Sequence, residues 1–190
     1  MKKVIAIIGE MGSGKGTFIK MLMSLAPAEA LGKVSTSGFL RNALSLWGLQ
    51  PTRENLQHLP QIMKSGFGPN TFFDAMAHEI DNQKQTTVIF DGPRFDADIL
   101  YLKSKYELIL VYIQADIETC YKRIIARGEK QGESSTSFEK FLEHHKGPTE
   151  ASIASLKDQA EIIIDNQGSL ENLGLQAKNF YQLHLQNDIK

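Results

Sequence analysis

The sequence is poor in the features that would place it outside the cytoplasm or on nucleic acid. Its one cysteine, Cys120, excludes an intrachain disulfide and any zinc site built on several thiolates. Its 21 basic residues are balanced by 22 acidic ones, so no broad cationic face for nucleic acid is implied. The apolar runs, such as Val4 to Ile8 and Leu108 to Ile113, fall well short of the roughly 20 residues of a membrane-spanning helix. Met1-Lys2-Lys3 leads into a stretch too brief for a signal peptide, which ends in glycine-rich sequence instead of a cleavage site. Arginine is also scarce: five against sixteen lysines. A single cytoplasmic globular domain, without nucleic-acid or membrane partners, is the expectation, as a monomer or small homo-oligomer.

What is present alternates. Five short apolar segments, Val4–Ile8, Lys33–Ser35, Thr86–Phe90, Leu108–Ile113 and Ile162–Ile164, are separated by stretches with helical periodicity. Continuous hydrophobicity marks strands covered on both faces, so the reading is α/β with a five-stranded parallel sheet and right-handed crossovers. Helices are expected over 17–25, 117–126 and 170–185, with Asp116 and Ser169 as N-caps and Gly128 as a stop. Three further helical stretches fill residues 37–83, broken near Gly48–Pro51 and Gly66–Pro69, with Thr52 capping the middle one. Residues 128–149 are polar and bounded by glycine and proline, which suggests a mobile flap.

Gly9-Glu10-Met11-Gly12-Ser13-Gly14-Lys15-Gly16-Thr17 follows the first strand and opens a helix. In that context the glycines let backbone N–H groups turn inward around phosphates, and the helix N-terminus adds its positive end. Lys15 supplies a compact charge for the transferring phosphates. The residue after the lysine is Gly16, where a Ser or Thr would ordinarily carry the Mg²⁺-binding hydroxyl, and Thr17 comes next. Lys-Gly-Thr is the variant of adenylate-kinase-like nucleoside monophosphate kinases, and from this point the sequence resembles that family.

The arginines extend the resemblance, because planar bidentate recognition of phosphate favours arginine over lysine. Ser35-Thr36-Ser37-Gly38-Phe39-Leu40-Arg41 is similar to the family's Ser-Thr-Gly-Asp-x-Leu-Arg element, with the acid missing, and implies that Thr36 and Arg41 face the acceptor. Asp91-Gly92-Pro93-Arg94 looks like Asp-Gly-Phe-Pro-Arg with one residue deleted. An acid at the end of a parallel strand beside a phosphate loop can hold Mg²⁺, which assigns the metal to Asp91 with Thr17, and Arg94 would clamp the acceptor phosphate. Without the loop, the same segment reads as an ordinary turn. Arg123 and Arg127 share one helix face, and the resemblance sends both toward the donor nucleotide and the transferring phosphate. Arg53 has no counterpart in the family pattern and stays open between an acceptor contact and a pair with Glu54 or Glu79.

Two segments differ from the family pattern. The flap lacks lid arginines and has only Lys130, Lys140, Lys146, His144 and His145 as cations; the two histidines read as exposed helix residues. Ala160 to Leu170 resembles the last strand and loop of dephospho-coenzyme A kinases, which places Asn166 and Gly168 near the donor adenine. Trp47, Phe39, Phe67, Phe72 and Phe73 read mainly as core, and Cys120 has nothing nearby that would make it a catalytic thiol. The resemblance implies one kinase domain: a core of 1–36, 84–127 and 150–190, an acceptor-binding segment of 37–83, and a short lid of 128–149. It further implies ATP and Mg²⁺ as cofactors, with Gly9, Gly12, Ser13, Gly14, Lys15, Gly16, Thr17, Arg123, Asn166 and Gly168 around the donor. Lys15, Arg94, Arg123 and Arg127 are the expected catalytic groups. The expected reaction is γ-phosphoryl transfer to a nucleoside monophosphate. Dephospho-coenzyme A phosphorylation and nucleotide hydrolysis without a phosphoryl acceptor are the alternatives.

Overall fold

A computed structural model describes residues 1–128 and 136–187. Five strands, β1 (Lys3–Ile8), β2 (Gly32–Ser35), β3 (Thr87–Asp91), β4 (Glu107–Gln114) and β5 (Ile162–Asp165), form one parallel sheet in the order β2-β3-β1-β4-β5. Each strand coincides within a residue or two with one of the five segments read from the sequence, β2 (Gly-Lys-Val-Ser) being the weakest of them. The register aligns the carboxyl ends: Asp91 of β3 sits between Ile7 of β1 and Ser35 of β2. In open parallel sheets of this kind, ligands bind in the crevice beyond those ends, where neighbouring connections diverge.

Nine helices are present among the described residues: α1 (Lys15–Leu25), α2 (Thr36–Leu46), α3 (Arg53–Phe67), α4 (Thr71–Asp81), α5 (Asp96–Lys105), α6 (Ile117–Arg127), α7 (Phe138–His145), α8 (Pro148–Ser155) and α9 (Leu170–His184). Side chains alternate along β1, so Ile5 and Ile7 face Phe18, Leu22 and Phe180 of α1 and α9. Val4, Ala6 and Ile8 face Ile80, Ile99 and Ile153 of α4, α5 and α8. Both faces of β1 are therefore fully buried, which explains its unbroken apolar sequence.

The capping residues act as their chemistry predicts. Asp116, Thr52 and Ser169 accept from the N–H groups of Thr119, Asn55 and Asn172, and Gly128 closes α6 at φ +54°. Two expectations need correction. Trp47 and Phe67 are 60% and 74% exposed, because each ends a helix at a corner instead of lying on its inward stripe. The second half of the flap is helical: α7 packs its buried Phe141 against Cys120 and Ile124 of α6. The remainder of the expected lid, 129–135 with Lys130, lies outside the described residues. Among the described residues no helix is long and apolar enough to cross a membrane.

Candidate active site

The loop between β1 and α1 is wedged between three other elements, and its glycines are where the approach is closest. At Gly12 (φ +88°) a Cβ would lie 2.5 Å from the Cys120 carbonyl oxygen of α6. At Gly14 (φ +98°), which caps α1, it would lie 2.2 Å from Asn166 Nδ2 beyond β5. Only glycine fits either the space or the dihedral. Ser13 is fully buried, and its hydroxyl has no hydrogen-bond partner. Gly16 has nothing within 4 Å of its Cβ position, so its departure from Ser or Thr has no packing cause.

Lys15 turns back into the loop, donating to the carbonyls of Gly9 and Glu10, the latter at 3.0 Å. Burial pulls its pKa below the usual lysine value; the carboxylates of Asp91 and Glu150 oppose that, and the charge of Arg94 adds to it. Lys15, Asp91, Arg94 and Glu150 thus share one electrostatic neighbourhood, although Arg94 itself is exposed. Thr17 is exposed in the first turn of α1, its N–H donating to the Gly14 carbonyl.

Arg123 and Asn166 lie on the opposite side of the loop. Asn166 is buried and donates from Nδ2 to the Ser13 carbonyl at 2.7 Å, tying the end of β5 to the phosphate loop. Its own carbonyl accepts from Arg123 Nη2 at 2.9 Å. Arg123 Nη1 is buried without a partner and would lie 4.0 Å from a Cβ on Gly14. Arg127 is exposed one turn further along α6. Gly168 lies in the exposed turn before α9, against Asn172.

The β2–β3 side holds the third group. Thr36 opens α2, which Ser35 caps by accepting from Gly38 N at 3.0 Å, and the Thr36 hydroxyl lies against Gly92. Beside them is a pocket walled by Phe72, Phe73, Met76, Phe90 and Tyr101. Thr36, Asp98 and the hydroxyl-bearing Tyr101 are its polar side chains. The aromatic wall is fixed by stacking of Phe73 on Tyr101, with ring centroids 5.4 Å apart, and by a hydrogen bond from the Tyr101 hydroxyl to Asp74. Arg41 is not at this pocket; it is exposed and lines a separate depression with Asn42, Ser45 and the 48–51 turn. Arg53 is exposed at the start of α3.

Three contributors escaped the sequence reading. His145 is not a solvated helix residue: its side chain is only 16% exposed and pairs with Glu10 of the loop at 3.9 Å. Glu150, in the first turn of α8, accepts from the N–H of Met11 at 2.9 Å. Asp98 accepts from the N–H groups of Arg94 and Phe95 at 2.7 and 3.0 Å. The only signal available was Asp98's place in the first turn of α5, where acids satisfy free N–H groups.

Cys120 is buried, and burial together with the Glu10 carboxylate pushes its thiol up to about 11. Its thiolate is therefore scarce at neutral pH. Iodoacetamide at pH 7.5 is expected to leave the native protein unlabelled and to label it fully in denaturant, as read by intact mass. Rapid native labelling would contradict the packing of α6 on the loop.

The residues fit a polyphosphate. The loop's narrowest points admit only glycine, a hydroxyl and a guanidinium nitrogen are buried there without partners, and a lysine is held among them. Among the described residues no group of three or more His, Cys, Asp or Glu could by itself hold a metal ion. Thr17 and Asp91 suit Mg²⁺ that is held chiefly by phosphates and water.

No protein-family model matches the chain. A UPF0200 protein from Methanoregula boonei is 29% identical over 170 residues, spanning 88% of this chain and 90% of its own length. Another from Hyperthermus butylicus is 24% identical over 176 residues, spanning 92% and 91%. Among solved structures, shikimate kinase from Bacteroides thetaiotaomicron superposes with a TM-score of 0.60 at 13% identity, over 95% of this chain and 97% of that one. Shikimate kinase from Acinetobacter baumannii, in complex with shikimate, gives 0.54 at 16% identity, over 100% and 96%. These likenesses carry a P-loop kinase fold, the α/β five-stranded parallel sheet flanked by helices. They single out neither an adenylate-kinase-like nor a dephospho-coenzyme A branch.

Proposed function

We propose that this chain transfers the γ-phosphoryl group of ATP to a nucleoside monophosphate. The observation that carries the reading is the loop itself: Lys15 held on the Gly9 and Glu10 carbonyls, with the buried Ser13 hydroxyl and Arg123 Nη1 left without partners. Bound ATP supplies an activated phosphoryl group and ADP as leaving group. The chain's own part is positioning and charge neutralisation. Lys15 leaves its carbonyl partners for the phosphates, and the inward N–H groups of the loop hold them. Arg123 directs its unpaired nitrogen to the donor, while Asn166 fixes the Arg123 guanidinium and the loop relative to each other. Arg127, from the end of the same helix, joins it as charge develops. Thr17 and Asp91 would hold Mg²⁺ or its waters, which would offset the phosphate charge. Arg94 fixes the acceptor phosphate next to the pocket beyond β3, with Thr36 in that pocket, whereas Arg41 stays in its separate depression.

The kinases of similar fold include ones named for shikimate and for a sugar, both polyhydroxylated. The pocket beside Gly92 is walled by aromatic and aliphatic side chains. An acceptor phosphate needs no general base at neutral pH, so the reading asks none of the carboxylates near the loop to take a proton.

The test is incubation with ATP, Mg²⁺ and, separately, each common nucleoside monophosphate, dephospho-coenzyme A and shikimate, with products identified by mass. A nucleoside diphosphate together with ADP is the expected result. Coenzyme A would move the chain to the alternative branch, phosphoshikimate to the branch of its structural neighbours, and ADP with free phosphate alone to a hydrolase.

A further inference from the structure

We propose that Glu150 is a positioning residue for the donor nucleotide: from outside the phosphate loop, and with His145 beside it, it holds the loop in the form that receives the phosphates. This rests on the nucleotide-binding half of the reading above and is independent of the acceptor. The turn between α7 and α8 brings the two side chains to consecutive residues of the loop. His145, the last residue of α7, pairs with the Glu10 carboxylate at 3.9 Å. Glu150, in the first turn of α8, accepts from Met11 N at 2.9 Å. Both contacts are backed by the core. The His145 ring lies 5.7 Å from that of Phe141, which is buried against Cys120 and Ile124 of α6. The Glu10 carboxylate also faces Tyr112 of β4, whose phenol is kept protonated by burial and by that carboxylate. Glu150 faces the same tyrosine, and Lys15. In the free loop Lys15 ties the outer residues together through the Gly9 and Glu10 carbonyls. That tie is lost when the ammonium turns to the phosphates. The Glu10 carbonyl then keeps the Ser13 N–H at 3.1 Å, within the loop, and the polar hold on Glu10 and Met11 from outside passes to His145 and Glu150. Without that hold the two residues would have to be ordered by the ligand, and the cost would appear as weaker affinity.

Two substitutions separate the hydrogen bond from the charge. Glu150→Ala removes both. Glu150→Gln keeps an oxygen that accepts from Met11 N but removes the charge that faces Lys15. The experiment measures Kd for ATP with Mg²⁺, without acceptor, by titration calorimetry, which reports the binding-competent fraction separately. Glu150→Ala is expected to raise Kd by about tenfold, and Glu150→Gln to stay within about threefold of the wild type. His145→Ala, which leaves Glu150 in place, is expected to raise it by about two- to threefold, because a long ion pair contributes little. A Glu150 that only supports the fold would lower the competent fraction or the thermal midpoint and leave Kd unchanged, which overturns the proposal. Equal weakening by the two Glu150 substitutions overturns it as well, since the charge on Lys15 and not the bond to the loop would then matter. If Glu150→Ala shows no cooperative melting, Glu150→Asp, whose carboxylate is one methylene short of Met11 N, takes its place under the same expectations. A wild-type protein that binds no ATP removes the kinase reading together with this one, whereas ATP binding with Kd unchanged in the variants removes the role of Glu150 alone.

Discussion

Lys15→Ala is expected to lower turnover by about 10³ or more, equivalent to about 4 kcal/mol of barrier, while leaving the fold intact. Among the described residues, Lys15 is the ammonium bonded to the Gly9 and Glu10 carbonyls of the loop. Arg94 is exposed and Arg123 has one nitrogen committed to the Asn166 carbonyl, so neither puts a charge on the loop carbonyls as Lys15 does. The effect on stability has the opposite sign. Burial depresses the Lys15 pKa, so the charged form is disfavoured in the folded chain. That cost is present at pH values below the folded pKa and is relieved as pH rises through it. Removing the ammonium should therefore leave the thermal midpoint unchanged or raised at neutral pH, with the gap to the wild type closing in alkaline buffer. Steady-state kinetics paired with melting curves at several pH values check both halves. Near-native turnover would contradict the assignment. A large fall in midpoint would mean that the lysine holds the loop together instead of serving phosphate. Arg127→Ala carries the same expected loss of turnover, and because Arg127 is exposed at the last turn of α6 its result reports whether that turn enters the site.

The parts of this molecule that could be read in advance are those whose signal is local. Four of the strands are short runs rich in β-branched residues, β2 (Gly-Lys-Val-Ser) being the weak one, and three caps, Thr52, Asp116 and Ser169, lie at helix starts where a side-chain oxygen can accept from the third N–H along. The loop, with its glycines and Lys15, is likewise one contiguous segment. Helices α7 and α8 escaped because each buries so little: Phe141 in one and Ile153 in the other are their buried residues, too few to set a periodicity. Their docking depends on contacts no local pattern encodes, His145 on Glu10 and Glu150 on the N–H of Met11, the latter 139 residues away. The aromatics of 37–83 show the same limit from the other side. Phe72 and Phe73 are adjacent residues in one helix, yet they wall the pocket only because β3 and α5 bring Phe90 and Tyr101 to meet them. Trp47 and Phe67, in similar sequence, face solvent.

The loop's geometry can be tested apart from its chemistry at Gly9, where the conformation and the packing make the same demand. Its φ is +143°, and a Cβ there would lie 2.4 Å from the carbonyl oxygen of Ile113 and 2.8 Å from Ser13 Oγ. The hydroxyl could rotate away, but the carbonyl belongs to β4, which is paired with β1 on one side and β5 on the other. Relief would require one of the central strands to shift, and Ile113 is fully buried there. Gly9→Ala is therefore expected to cost about 3 kcal/mol, the sum of overpacking against backbone and a dihedral unfavourable to an L-residue, and to lower the thermal midpoint by roughly 6–12 °C. Gly16→Ala is the matched control: it lies inside α1 with nothing within 4 Å, so the added methyl should be neutral or stabilising by up to about 1 kcal/mol. Melting curves of the two variants distinguish a loop held by its neighbours from a flexible glycine-rich turn. A Gly9→Ala midpoint equal to that of the wild type would mean that the loop and the end of β4 do not touch, and the cradle described for the phosphates would lose its fixed wall.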